Sequence, residues 1–247
     1  ADVRPLTTKR ASELSAEWWR RVRFDRLRAA VESFRLVHDE INTYLQQLRQ
    51  DRGGAARIKH YDRLIFELLQ ALSLADRGPV QVVWGGIAWD PARLPFRREA
   101  SARRVIEDGK GVVSDAPLAP GDVVRLDTVM LVSNERAHAV RNARGDQRVV
   151  VEFVTRRPVW LAATEFFTDV EGVLPVGHQA VVVDVIARPF AEHPNVDYVV
   201  VAVDGDLLHA GVGGSGQDSG IGGLGMRERF EPEDTSDWVQ LTRKLGG

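Results

Sequence analysis

Two acids and two aromatics crowd one short stretch of this chain: Phe166, Phe167, Asp169 and Glu171, followed by Gly172-Val173-Leu174-Pro175-Val176-Gly177. Val173-Leu174 is a short apolar run closed by Pro175 and Gly177, and the alternation over 180–186 reads as a strand directly after it. A carboxylate fixed where a loop meets a strand can stabilise a developing positive charge. Aromatic rings beside it can cover a planar ring of a ligand. The same residues also suit an ordinary surface hairpin with a solvated glutamate, because charges usually lie on wet faces. The elements that would have to position Glu171 bear on the choice.

The 247 residues, 44% of them hydrophobic, suffice for one large domain or a domain with a helical appendage. With 33 basic against 35 acidic residues the net charge is −2, so no overall field draws the chain to nucleic acid or to an anionic membrane. The absence of cysteine excludes disulfides, thiolate metal ligands and a cysteine nucleophile. No apolar run approaches the roughly 20 residues that span a bilayer, which argues against membrane insertion. The first residue is Ala1 rather than Met, which fits a processed product or an excised piece.

From the N-terminus, a polar arm leads into a long helical segment over about 12–50, with Phe24, Leu27, Val31, Phe34, His38, Ile41, Leu45 and Leu48 on one face. His38 on that stripe reads as a core histidine. Trp18 and Trp19, among Arg20, Arg21 and Arg23, read as caps on the core, with an aromatic or anionic partner as the alternative. Asp51-Arg52-Gly53-Gly54 breaks the helix, and Tyr61, Leu64, Ile65, Leu68, Leu69 and Leu72 mark another. Strands follow at 80–84, 122–126, 148–154, 180–186 and 197–203, with a helix opened by Ser133 and Asn134. The connection over 89–111 is basic, with a short helix expected at 100–107. Gly85 and Gly86 permit close approach of backbone or ligand, but no lysine completes a phosphate loop. A glycine-rich linker over 211–225 and a short helix docking Trp238 end the chain. The expected divisions are a helical region at 1–57, a main α+β domain at 58–210, and the linker with its helix at 211–247.

In this order the pieces resemble the ADP-ribosyltransferase fold of bacterial toxins. The resemblance rests on three segments. These are Val83-Trp84-Gly85-Gly86-Ile87, then Pro120-Gly121-Asp122-Val123-Val124 with Leu131-Val132-Ser133, and finally Asp169-Val170-Glu171-Gly172-Val173-Leu174-Pro175-Val176-Gly177. It implies a helical N-terminal region and a mixed, largely antiparallel split β-sheet core. It also implies NAD as substrate and a protein acceptor or partner, in a secreted effector or toxin. Glu171 matches the family's catalytic glutamate, which hydrogen-bonds the nicotinamide ribose and stabilises the oxocarbenium ion, closing a cleft between two β-layers. Asp169 matches the acceptor-selecting position, Phe166 and Phe167 the acceptor-contacting loop, and Ser133 the last serine of a Ser-Thr-Ser triplet. Trp84, Gly85 and Gly86 fall on the NAD-binding strand.

The chain departs from the family in two places. Gly85 stands where the family has an NAD-gripping arginine or histidine, and Leu131 with Val132 replaces the first two residues of the triplet. A glycine cannot hold a diphosphate. Arg93, Arg97 and Arg98 are the basic residues in sequence reach of the vacated place. Two functions therefore stand open: an NAD-consuming transferase or glycohydrolase, and an inactive protein of the same fold serving as a binding or structural module.

Overall fold

In a computed structural model of the chain, the described residues are 3–50, 58–89, 94–100, 117–161, 171–187, 191 and 194–210. The helices are α1 (Thr8–Arg21), α2 (Asp25–Leu36), α3 (His38–Gln50), α4 (Lys59–Ser73), α5 (Arg136–Asn142) and α6 (Gly205–Ala210). The strands are β1 (Gln81–Ala88), β2 (Phe96–Ala100), β3 (Val123–Leu126), β4 (Met130–Val132), β5 (Arg148–Thr155), β6 (Val159–Trp160), β7 (Gly172–Leu174), β8 (Gln179–Ala187) and β9 (Tyr198–Asp204). They form a six-stranded sheet in the order β1-β5-β9-β8-β3-β2 and a three-stranded sheet in the order β4-β7-β6. Among the described residues, only the β5–β9 pair is parallel. A bridge between Trp84 and Ser133 joins the two sheets.

The split follows from alternation along the short strands. Met130, Val132, Trp160 and Leu174 face the large sheet and pack with Val83, Val151, Phe153, Val182 and Ala202. The intervening Val129, Val159, Leu161 and Val173 face the other way, into the core of α2, α3 and α4. The layers are therefore helices, small sheet, large sheet, and then α5 on the far face, where Ala139 and Ala143 cover Val150 and Val199. Covered on both faces, Val149, Val150 and Val151 are all buried, as a central strand requires. One side-chain amide locks the helical layer to the small sheet: Asn42 Nδ2 donates to the Val129 carbonyl at 2.9 Å and Asn42 Oδ1 accepts from Val129 N at 3.1 Å.

The sequence expectation of one long helix over 12–50 gives way to three. Val22 leaves the helical region at φ −76°, ψ 77°. Its carbonyl accepts from Arg28 Nε at 2.7 Å, so a side chain from the next helix satisfies the end of α1. A second break falls at Val37, with φ −127° and ψ 33°. Because the segment turns twice, its apolar stripe does not stay on one face. Leu27, Val31, Phe34, Ile41 and Leu45 are buried, whereas Phe24 is 63% exposed with the Arg26 guanidinium over its ring. His38 is half-buried beside Asp39, not enclosed in the core. Trp18 does cap the core: it is buried, and its Nε1 donates to the Ala71 carbonyl at 2.9 Å.

The expected strands are found with edges shifted by a residue or so, except that β1 runs on through Gly85 and Gly86 to Ala88. The connection after β1 carries the edge strand β2, which ends at Ala100 where the sequence expectation began a helix; the rest of that expected helix, 101–107, the glycine-rich linker and the terminal helix lie outside the described residues. No helix among the described residues is long and apolar enough to cross a membrane.

Candidate functional site

Glu171 stands at the head of β7, where its carbonyl accepts from Leu161 N at 2.7 Å. β7 pairs antiparallel with β4, Val132 opposite Gly172, so extending the register by one residue puts Ser133 opposite Glu171. Gly172 is tightly packed at this crossing: a Cβ there would meet Val132 Cγ2 at 3.0 Å and the Trp160 ring at 3.1 Å, so those side chains would have to give. Glu171 shares the strand parity of Val173, which faces the helices. The carboxylate thus turns toward α2 and does not lie between the two sheets.

There it meets Arg35. Nη2 of Arg35 lies 3.8 Å from Oε2 of Glu171, with the arginine side chain 1% exposed and the glutamate side chain 36% exposed. Arg35 sits four residues after Val31 and next to Phe34, on the buried face of α2. Burial disfavours its charge and holds its pKa below the usual guanidinium value, while Glu171 and then Glu32 pull the other way. An arginine pKa starts so high that the group stays cationic. A buried cation fixed by helix packing therefore faces a partly open carboxylate across a gap longer than a hydrogen bond. The only sequence signal for it was a charge beside an apolar stripe.

Arg97 and Arg98, the basic residues in reach along the sequence, are engaged elsewhere. Arg97 pairs with Glu99 at 3.5 Å, and Arg98 Nε lies 3.1 Å from the buried Asp122 carboxylate. Arg93, Asp169, Phe166 and Phe167 lie outside the described residues.

Ser133 is 7% exposed and bound through its backbone to Trp84 in both directions, N to O at 2.8 Å and O to N at 2.9 Å. Its Oγ accepts from Glu135 N at 3.0 Å and so shapes the entry to α5. Trp84 directs its ring to the α5 side of the large sheet and donates from Nε1 to Glu152 at 2.8 Å. The two glycines beside it serve different contacts. A Cβ on Gly85 would lie 2.2 Å from Met130 Cε, so a methionine from the small sheet occupies the space a larger side chain would need. A Cβ on Gly86 would lie 1.9 Å from the Ala139 carbonyl oxygen and 2.6 Å from Ala143 N. Gly86 is what lets α5 lie directly on β1.

Solved structures share this arrangement of elements. An ADP-ribosyltransferase from Clostridium botulinum is 12% identical with a TM-score of 0.53, the match covering 83% of this chain and 99% of that one. A protein from S. aureus, solved with NAD, gives 12% identity and a TM-score of 0.56 over 83% of this chain and 99% of that one. Exoenzyme S from Pseudomonas aeruginosa, in complex with human 14-3-3 protein beta and bound to carba-NAD, gives 12% and 0.51 over 94% of this chain and 92% of that one. No family model matches the sequence, and no curated protein matches it. At this identity the likeness is one of architecture. With helices on a small sheet, that sheet on a larger one, and Glu171 at the head of β7, the chain has the ADP-ribosyltransferase fold.

Proposed function

We propose that the chain binds NAD beside Glu171 and cleaves the bond between nicotinamide and its ribose, passing ADP-ribose to a protein acceptor or to water. The observation that carries this reading is the buried Arg35 guanidinium 3.8 Å from the Glu171 carboxylate. NAD joins an anionic diphosphate to a ribose that turns cationic as the bond breaks, and this site offers one fixed charge of each sign. Arg35, held by α2, fixes a positive charge beside Glu171 that Gly85 cannot supply, and favours an anionic diphosphate there through its field. Glu171 faces the ribose. As nicotinamide departs with the bonding electron pair, the carboxylate stabilises the oxocarbenium ion, and the nucleophile that attacks the anomeric carbon passes its proton to solvent. Ser133, opposite Glu171 in the register, belongs to the floor of the same site. Asp169 as acceptor selector and Phe166 and Phe167 as acceptor contacts follow from the resemblance. A protein acceptor and a secreted effector setting belong to the same reading, supported by the protein complex in which exoenzyme S was solved.

One observation favours a second reading, an inert module of the same fold. Met130 Cε fills the space beside Gly85, and the aliphatic Leu131 and Val132 line the strand where hydroxyls would bind substrate. Melting the protein in the presence of NAD separates the two. A ligand bound only by the native state raises the melting temperature, by about 2.7 kcal/mol of stability at one hundred times its Kd. We expect a rise with millimolar NAD that is lost in Arg35→Gln. No rise in the parent protein would reject NAD binding and leave the inert module.

A further inference from the structure

On the far face of the large sheet, where α5 ends, a cavity of about 400 Å³ opens between the α5–β5 turn and the segment ahead of β9. Arg141, Arg144 and Arg148 line it, with Gly145, Pro194 and Asn195, and among the described residues no carboxylate is on its lining. The three arginines come from different parts of the backbone: the last turn of α5, the turn after it, and the first residue of β5. Gly145, at φ 88°, makes the bend that turns the second toward the third.

The chain carries slightly more acid than base, and many of its arginines are paired. Arg10, Arg21, Arg63, Arg77, Arg98 and Arg157 each face a carboxylate in an ion pair. Among the described residues, the guanidinium groups of Arg141, Arg144 and Arg148 have no such partner. Asp146 lies in the same turn and is exposed, and Asp197 Oδ2 accepts from the backbone N–H of Arg148 at 2.9 Å; neither forms an ion pair with these guanidinium groups. The negative end of α5 accounts for a cation at Arg141, since helix carbonyls favour positive charge in the last turn. It does not account for two more beyond the helix. Three like charges around one concavity repel one another unless an anion sits between them.

We propose that this cavity is a binding site for a small oligophosphate anion of the diphosphate class, separate from the Glu171 site. Guanidinium forks match phosphate oxygens two at a time, and three of them can serve two adjoining phosphates. Pro194 and Val140 add a small apolar wall, and Asn195 a side-chain amide that can pair with a hydroxyl or a ring edge. The anion could be free or carried on a nucleoside. Both sheets lie between this cavity and Glu171, so occupancy of one does not require the other.

The test is calorimetric titration of the full chain with inorganic pyrophosphate and, separately, with ADP, at low and at physiological salt. We expect saturable binding that weakens with salt, falls about tenfold or more in Arg144→Ala and in Arg148→Ala, and persists in Arg35→Gln. Tighter binding of ADP assigns a nucleotide source, and equal binding assigns a free oligophosphate. Arg144 is exposed, so Arg144→Ala leaves the fold intact and melting confirms it. No saturable binding of either probe, or binding that survives the double variant Arg144→Ala/Arg148→Ala, overturns the proposal. Loss in Arg35→Gln with retention in the double variant would move the anion to the Glu171 site and overturn it equally.

Discussion

Arg35 of α2 and Glu171 of β7 face each other across 3.8 Å, the arginine enclosed by the helical core and the acid open to solvent on one side. The pair joins the helical layer to the small sheet at the place where the fold's catalytic glutamate is expected. Because Glu171 is more than a third exposed and the gap exceeds a hydrogen bond, solvent screens the attraction. A double-mutant cycle of Arg35→Met and Glu171→Gln should give a coupling of about 1 kcal/mol or less in chemical denaturation. A coupling of several kcal/mol would mean the pair is a structural clamp and not a poised site.

Gly85 and Gly86 should differ sharply in what they tolerate. At Gly85 the obstacle is the far end of the flexible Met130 side chain, which can change rotamer; at Gly86 it is the α5 backbone. Gly86→Ala should destabilise by about 1–3 kcal/mol or more through overpacking, and Gly85→Ala by clearly less. Equal losses, read from urea midpoints, would contradict the packing of α5 on β1 described above.

His178 predicts a pH dependence of stability. The ring is buried against the edge of Phe153, with neither nitrogen hydrogen-bonded, and burial depresses its pKa to about 4. Asp204 opposes that shift, Arg157 adds to it, and Asp206 opposes it again. Since the unfolded chain takes up the proton first, stability is complete above pH 6.5 and is lost as pH falls toward 4, by on the order of 3 kcal/mol. Asp206 does not share that window. Burial pushes its carboxyl up, but hydrogen bonding and charge from Arg157 together with Arg77 hold it below its ordinary value, so its contribution is lost only at still lower pH. Melting temperatures between pH 4 and 7 should slope in the parent and flatten in His178→Gln. An unchanged slope in the variant would assign the effect to another group.

Much of the fold was legible because its signals are local. Pro120-Gly121, Arg144-Gly145-Asp146 and Pro175-Val176-Gly177 mark turns, and Gly121, Gly145 and Gly177 adopt φ 86°, 88° and 84° as such turns demand. The valine-rich strands β5, β8 and β9 announce themselves by composition and alternation. What stayed hidden lacked a local signal. β4, β6 and β7 are two or three residues long, too short to show a period, and yet they form the sheet that carries Glu171. The breaks at Val22 and Val37 carry neither glycine nor proline, being imposed by packing against α4 and the small sheet. Arg35 was invisible as a site residue because its partner is distant in sequence, and a charge next to an apolar stripe is ordinarily solvated. The role of Gly86 could not be separated from ligand approach until α5 was seen lying on it.

The central claim is that Glu171 stabilises the cation formed when NAD loses nicotinamide. Release of nicotinamide from NAD by the purified chain, measured alone and with cell extract as acceptor source, tests it most directly. The account predicts release from the parent protein and a fall of about a hundredfold or more in Glu171→Gln, with melting temperature preserved. Release that continues undiminished in Glu171→Gln, or none from the parent under any acceptor, would contradict it.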